Sequence, residues 1–280
     1  MVKPRISTIS SLLRCALAGC ILVTAACGDS TRGTQSMSQA EEQFAQKNYN
    51  EAIVELKIAL DAANEQQEEL PQARWMLGKS YLETGDMVAA AKELERANQL
   101  GWNPNEVLPA LAKALLSKGE LEQVMTLSTA GLDPQAAAQL QAQQALAQLG
   151  QGDIWTADTY IAKAAELHPD DAEVQIVEAR MLGASGDIDG ALALIQRVIE
   201  VQPYKRDAWS LKGDFLSAQE KLPEALAAFE VAIELSPENM DDRFKRGLLN
   251  LHLQRPEEVV PDIAFLLGVI LSDVVKPMLR

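Results

Sequence analysis

Three short stretches hold residue types that could do chemistry. Gly78-Lys79-Ser80 has the ending of a phosphate-binding loop, in which glycine-rich backbone amides cradle phosphates and the lysine meets their charge. That loop requires a glycine five residues before its Gly-Lys pair, and the position holds Ala73. Gly183-Ala184-Ser185-Gly186 is one residue short of the elbow that presents a nucleophilic serine. Such a serine needs a base, and the chain has only two histidines, His168 directly before Pro169 and His252. Neither stands in a pattern that completes a triad. The acidic pairs Asp170-Asp171, Asp241-Asp242 and Glu257-Glu258 fall in first turns of helices, where carboxylates complement the helix dipole. No catalytic residue, cofactor, metal or small-molecule substrate is expected.

The third stretch, "LAGCILVTAACGDS" from Leu17 to Ser30, carries thiols that could accept a lipid. Lys3, Arg5 and Arg14 precede a short apolar run that ends in small residues and cysteine, the layout of a bacterial secretion signal. Leu17-Ala18-Gly19-Cys20 is the better local match to a lipid-attachment site. Cleavage before Cys20, however, leaves an apolar core of only Cys15 to Gly19. Cleavage before Cys27 gives the twelve residues Cys15 to Ala26, within the roughly 7–15 that such a core needs. Cys27 is therefore the expected lipidation site, with Cys20 second; an ordinary cleaved signal is the alternative. Residues 1–26 are then the signal and 27–38 a polar tether. Gly28 and Asp29 favour the outer over the inner membrane, facing the periplasm. All three cysteines lie at or before residue 27, so the body of the protein has no disulfide.

What must position any site is a helical scaffold. Apolar residues make up 48% of the 280 and aromatic residues 5%, with Ala, Leu, Gln and Glu dominant, a helix-forming mixture. The net charge of −15 becomes −18 once the signal's three basic residues are removed, which argues against nucleic acid. Turn signals recur at Lys47-Asn48, Gly85-Asp86, Gly119-Glu120, Gly152-Asp153, Gly186-Asp187, Glu220-Lys221 and Gln254-Arg255, spaced by 38, 34, 33, 34, 34 and 34 residues. Five residues after each turn stands Ala52, Ala90, Val124, Ala157, Ala191, Ala225 or Val259. Larger apolar groups follow four later at Leu56, Leu94, Ile161, Ile195, Phe229 and Ile263, on the same helical face. Pro169, Pro203 and Pro237 close three units. A small residue, Ala40, Gly78, Ala112, Ala145, Ala179, Gly213 or Gly247, precedes each turn in one column and admits close helix contact.

These columns resemble the tetratricopeptide repeat, with Leu77-Gly78-x-x-Tyr81 before the turn and an Ala, large apolar, Ala series after it. The resemblance implies an all-α, right-handed superhelical solenoid of antiparallel helix pairs, about seven units over 39–270, with a tail at 271–280. Unit three is the weak match, because Ser128 and Gly131 take its large and small positions. "NYNEAIVELKIAL", "ARWMLGKSYLETGDMVAAAKELERANQLG" and "NEVLPALAKALLSKGELEQV" are similar to the opening repeats of PEP-CTERM system tetratricopeptide lipoproteins. That resemblance implies an envelope protein that couples exopolysaccharide production to sorting of tagged proteins. Its members are several times longer, so this chain reads as a fragment or shortened member, or its apolar tail packs on a partner.

Function in such a solenoid lies on the concave face lined by the first helix of each unit. Positions 2, 5, 9 and 12 of the unit put Gln72, Trp75, Lys79 and Leu82 there, then Lys113 and Leu116, Ile176 and Arg180, Ser210 and Asp214, and Phe244, Leu248 and Leu251. Trp75 either turns into the groove or packs under unit one. Asparagine is missing from these columns, so a clamp for chaperone tails is not expected. The expected role is a membrane-anchored periplasmic scaffold with a protein partner in its groove, in exopolysaccharide-linked protein sorting. An outer-membrane or pilus assembly helper is the rival, and a carbohydrate-processing enzyme the remote one.

Overall fold

The Gly-Asp pairs at residues 85, 152 and 186 each end one helix and start the next. In the computed structural model, which describes residues 32–275 and side chains to 268, Gly85, Gly152 and Gly186 adopt φ of 92°, 84° and 93°. Only a left-handed residue closes a helix this way, and glycine does so without a Cβ penalty. The following aspartates accept from the first turn of the next helix: Asp86 from Ala89 N, Asp153 from Thr156 N and Asp187 from Gly190 N, at 3.0, 3.0 and 2.9 Å. The turns without glycine take the same backbone. Lys47, Glu220 and Gln254 have φ of 62°, 59° and 56°, so the left-handed residue marks all seven expected turns.

Helices α1 (32–45) and α2 (Tyr49–Glu65) form the first unit. They are followed by α3 (Pro71–Thr84), α4 (Met87–Gln99), α5 (Pro104–Ser117), α6 (Leu121–Thr126), α7 (Pro134–Gly150) and α8 (Ile154–Leu167). The last units are α9 (Ala172–Ala184), α10 (Ile188–Val201), α11 (Arg206–Ala218), α12 (Leu222–Leu235), α13 (Met240–His252) and, after a 3₁₀ turn at Pro256–Val259, α14 (Val260–Val275). Odd-numbered helices pack on the even-numbered helix that follows, and each pair stacks on its neighbours. The result is a superhelical solenoid with a continuous core, as the repeat predicts.

The small column lets the two helices of a unit touch. A Cβ on Gly213 would lie 2.7 Å from the Phe229 ring, and one on Gly78 would lie 2.6 Å from Leu94. Phe229, 1% exposed, is thereby sealed, and burial of such a ring contributes about 2–3 kcal/mol. At the other end of the pair, Pro169, Pro203 and Pro237 follow the last residues of α8, α10 and α12. Each proline carbonyl accepts from a side chain six residues on: Gln175 Nε2 at 2.9 Å, Trp209 Nε1 at 2.8 Å and Arg243 Nε at 2.7 Å. These bonds tie each junction to the helix it introduces.

Three places depart from the expected pattern. Helix α1 already runs at residue 32, where a tether was expected up to 38; Ser36 is buried and Met37 packs beside Ala40 and Leu56. In unit three, α6 stops after six residues, because Ser128 supplies no apolar anchor and Leu127 turns extended with ψ of 131°. Gln144 of α7 satisfies the freed Leu127 carbonyl at 2.9 Å. In unit seven, Ile263 is 49% exposed rather than inward. The tighter winding of the preceding 3₁₀ turn rotates the register. Asp262 takes the buried place, where Arg246 meets it at 2.5 Å and Arg243 at 3.3 Å.

Candidate functional site

The solenoid curls until its second unit faces its sixth. Ser236 Oγ, just past α12, donates to the Glu83 carbonyl near the end of α3 at 3.4 Å. A cavity of about 980 Å³ lies inside this curl. Unit one lines it with the start of α2, through Tyr49 and Glu51, and units two and three with α3 and α5, through Trp75, Lys79, Leu82, Glu106 and Lys113. Units four to six line it with the earlier parts of α7, α9 and α11, through Gln139, Gln143, Glu173 and Asp207.

A charged network straps the two walls together. Lys113 Nζ of α5 lies 2.5 Å from Asp207 Oδ2 of α11 and 4.0 Å from Glu173 Oε2 of α9. Lys205 pairs with Glu173, and Arg206 pairs with Asp207 and, at 2.9 Å, with Asp242. Burial alone would discharge these groups. It is outweighed: Asp207 and Glu173 hold the Lys113 ammonium above the ordinary lysine range. Burial would likewise raise the two acids, yet Lys113 with Arg206 keeps Asp207 far below the carboxylate range, and Lys113 with Lys205 keeps Glu173 below it. All three are ionised at neutral pH. At the rim, burial and then the nearby Glu83 charge push the Tyr49 phenol up to about 12.

Trp75 takes both positions open to it. Its ring stacks with Trp102 at 6.0 Å and against Phe44 at 5.6 Å, and it borders the cavity. Its buried Nε1 has no acceptor among the described residues. Of the other groove residues expected from sequence, Lys79, Leu82 and Lys113 meet here, with Leu82 mostly sunk in the core. The remainder lie elsewhere. Leu116 packs beside the core cluster of Leu111 and Leu115. Ile176 is not a groove residue: it is buried with Leu194 and Ile195. Arg180 is exposed, Asp214 pairs with Lys245 at 3.0 Å, and Phe244 and Leu248 are exposed on α13 outside the cavity. The winding of the solenoid explains the split. Position 5 faces inward in unit two, but by unit five it has rotated into the seam between helices, and position 2 has come round to the inner wall.

Position 2, where the repeat pattern singled out Gln72 alone, supplies further lining residues. Gln72, Glu106, Gln139, Glu173, Asp207 and Asp241 occupy it in successive units, all carboxylates or amides, and four of them line the cavity. The same repeat spacing that singled out Gln72 contains this column.

Gly78-Lys79-Ser80 runs through α3, where Ser80 Oγ donates to Met76 O at 2.8 Å. Ser185 donates to Leu182 O at 2.8 Å at the end of α9. Cys20 and Cys27 lie outside the described residues, as does the signal. Among the described residues no helix is long and apolar enough to cross a membrane.

Two family models match the chain: a tetratricopeptide repeat over residues 37–103 and a tetratricopeptide repeat-like domain over 121–255. The chain carries tetratricopeptide repeats on both sides of α5, and repeats of this kind suggest a protein-interaction scaffold. Among solved structures, a human IFIT1 dimer with m7Gppp-AAAA is similar at TM-score 0.53 and 15% identity, over 81% of this chain and 58% of that one. A tetratricopeptide repeat protein from Parabacteroides merdae ATCC 43184 is similar at TM-score 0.48 and 16% identity, over 83% and 91%. These likenesses concern the fold alone, and this chain spans less than two thirds of the IFIT1 chain's length. No curated protein matches.

Proposed function

We propose that this protein is a lipid-anchored scaffold of the bacterial envelope that holds a segment of a partner protein in its inner cavity and takes part in exopolysaccharide-linked protein sorting. The cavity carries the first half of this reading. It is lined by six repeats, strapped by Lys113, and bordered by the stacked rings of Trp75 and Trp102. A polar groove lined by asparagine and glutamine side chains suits a polypeptide better than a polyanion, given the chain's charge of −15. The second half is supported by the Cys27 signal and the wording of the opening repeats. No residue is assigned a catalytic role.

A photo-reactive amino acid placed at Lys79, facing the cavity, tests the first half in living cells. Cross-links to components of sorting or polysaccharide export support the proposal. Cross-links to pilus or secretin components favour the assembly-helper reading, and cross-links obtained only from exposed Trp155 on α8 overturn the cavity as the binding site. Palmitate labelling tests the anchor. It should vanish in Cys27→Ala and persist in Cys20→Ala; loss in the Cys20 variant alone reverses the assignment.

A further inference from the structure

We infer that, resting on the scaffold reading above, the cavity takes an extended peptide segment that bears a lysine or arginine side chain, with Gln143 reading the segment's backbone. Gln143 is 6% exposed and lines the cavity, yet its side chain makes no hydrogen bond among the described residues. That amide opens into the cavity rather than being sealed from water, and its paired donor and acceptor match those of a peptide group. Its neighbours on the same face of α7 are already oriented. Gln135 Nε2 and Gln139 Nε2 both donate to Asp171 Oδ2, at 3.1 and 2.9 Å. A carboxylate only accepts, so both amide nitrogens turn toward it and both Oε1 atoms remain as acceptors. The α7 wall therefore asks for donors such as the N–H groups of a peptide backbone.

The charge of the wall selects the side chain. Seven carboxylates line the cavity against five cationic groups. Lys113, Lys205 and Arg206 are engaged by Glu173, Asp207 and Asp242. Glu51, Glu106 and Glu238 have no ion-pair partner among the described residues, against one such lining cation, Lys47. Glu51 and Glu106 stand in the first turns of α2 and α5, where the dipole offsets only about half a charge. Glu238, in the loop before α13, lacks even that. A lysine or arginine side chain completes this balance, whereas an acidic or phosphorylated segment worsens it.

Fluorescent Gly/Ser nonapeptides carrying three Lys, three norleucine or three Glu residues are the probes, titrated against the full chain at about 0.15 M ionic strength. The Lys peptide should bind about tenfold more tightly than the other two. Glu106→Gln with Glu238→Gln should remove that preference. Asp158→Asn with Glu166→Gln, exposed on α8 and equal in charge change, should leave it intact. Gln143→Leu should weaken all binding while the order of preference survives. Equal losses from the α8 pair would assign the effect to net charge and overturn the inference, as would a preference for the Glu or norleucine peptide, which leaves the scaffold reading standing. If none of the three binds, both readings fall.

Discussion

Lys113 and Asp207 stand 94 residues apart in sequence and 2.5 Å apart in space, and their contact closes α5 onto α11. About a third of the Lys113 side chain (32%) stays in water, which screens the pair. Asp207→Asn is therefore expected to cost about 1–2 kcal/mol, less than the loss from a sealed pair. Urea denaturation reads that cost, and small-angle scattering should show a wider particle. An unchanged midpoint and radius would mean that the strap does not hold the curl.

The same network fixes the acid limit of stability. Asp207 and Glu173 have pKa values lowered in the folded state, so their contribution is present above the ordinary carboxylate range and is lost as pH falls through the folded values. Thermal midpoints should decline below about pH 4, and less steeply in Lys113→Met, where the lowering charge is gone.

Tyr49 sets a marker at the other end of the scale. Its folded pKa near 12 lies above the ordinary tyrosine value of 10.0, so stability present below pH 10 is lost as pH rises from there toward 12. Ultraviolet titration of Tyr49→Phe against the parent should isolate one late-ionising phenol. Glu83→Gln should move that phenol's ionisation earlier.

Two glycines of one column should respond oppositely to the same change. Gly213→Ala drives a methyl group to 2.7 Å from the Phe229 ring and is expected to cost about 1–3 kcal/mol. At Gly247 the nearest atom, on Val259, is 3.6 Å away, so Gly247→Ala should gain about 0.5–1 kcal/mol of helix propensity. Equal effects in chemical denaturation would refute the close-contact reading of Gly213.

Glu220 carries a φ of 59° at a turn where other units place glycine. Glu220→Gly should relieve that backbone at a small entropic cost in the unfolded chain, for a net gain of about 0.5 kcal/mol. A drop in the thermal midpoint would contradict it.

Much of the fold was legible because it depends on short-range chemistry repeated in register. Glycine before aspartate gives the left-handed stop and the cap, and alanine or glycine opposite leucine or phenylalanine gives the helix contact. The cavity was half legible. Trp75, Lys79, Leu82 and Lys113 follow from position in the unit, but Ile176 does not, because winding accumulates over several units and no single repeat records it. Unit seven misled for a related reason. Pro256 tightens one turn, and that small rotation exchanges Ile263 for Asp262. The meeting of Lys113 with Asp207 is legible only in three dimensions.

A stack of repeats in which each unit touches only its neighbours behaves like a zipper and can fray from either end. The contact of Ser236 with Glu83, bridging 153 residues, joined by the Lys113 strap, bends this zipper into a hoop. Units two to six must then open together or not at all, since releasing one severs a tie held by another across the ring. Hydrogen exchange should find these five units as a single cooperative block, with units one and seven exchanging as loose ends beyond the clasp.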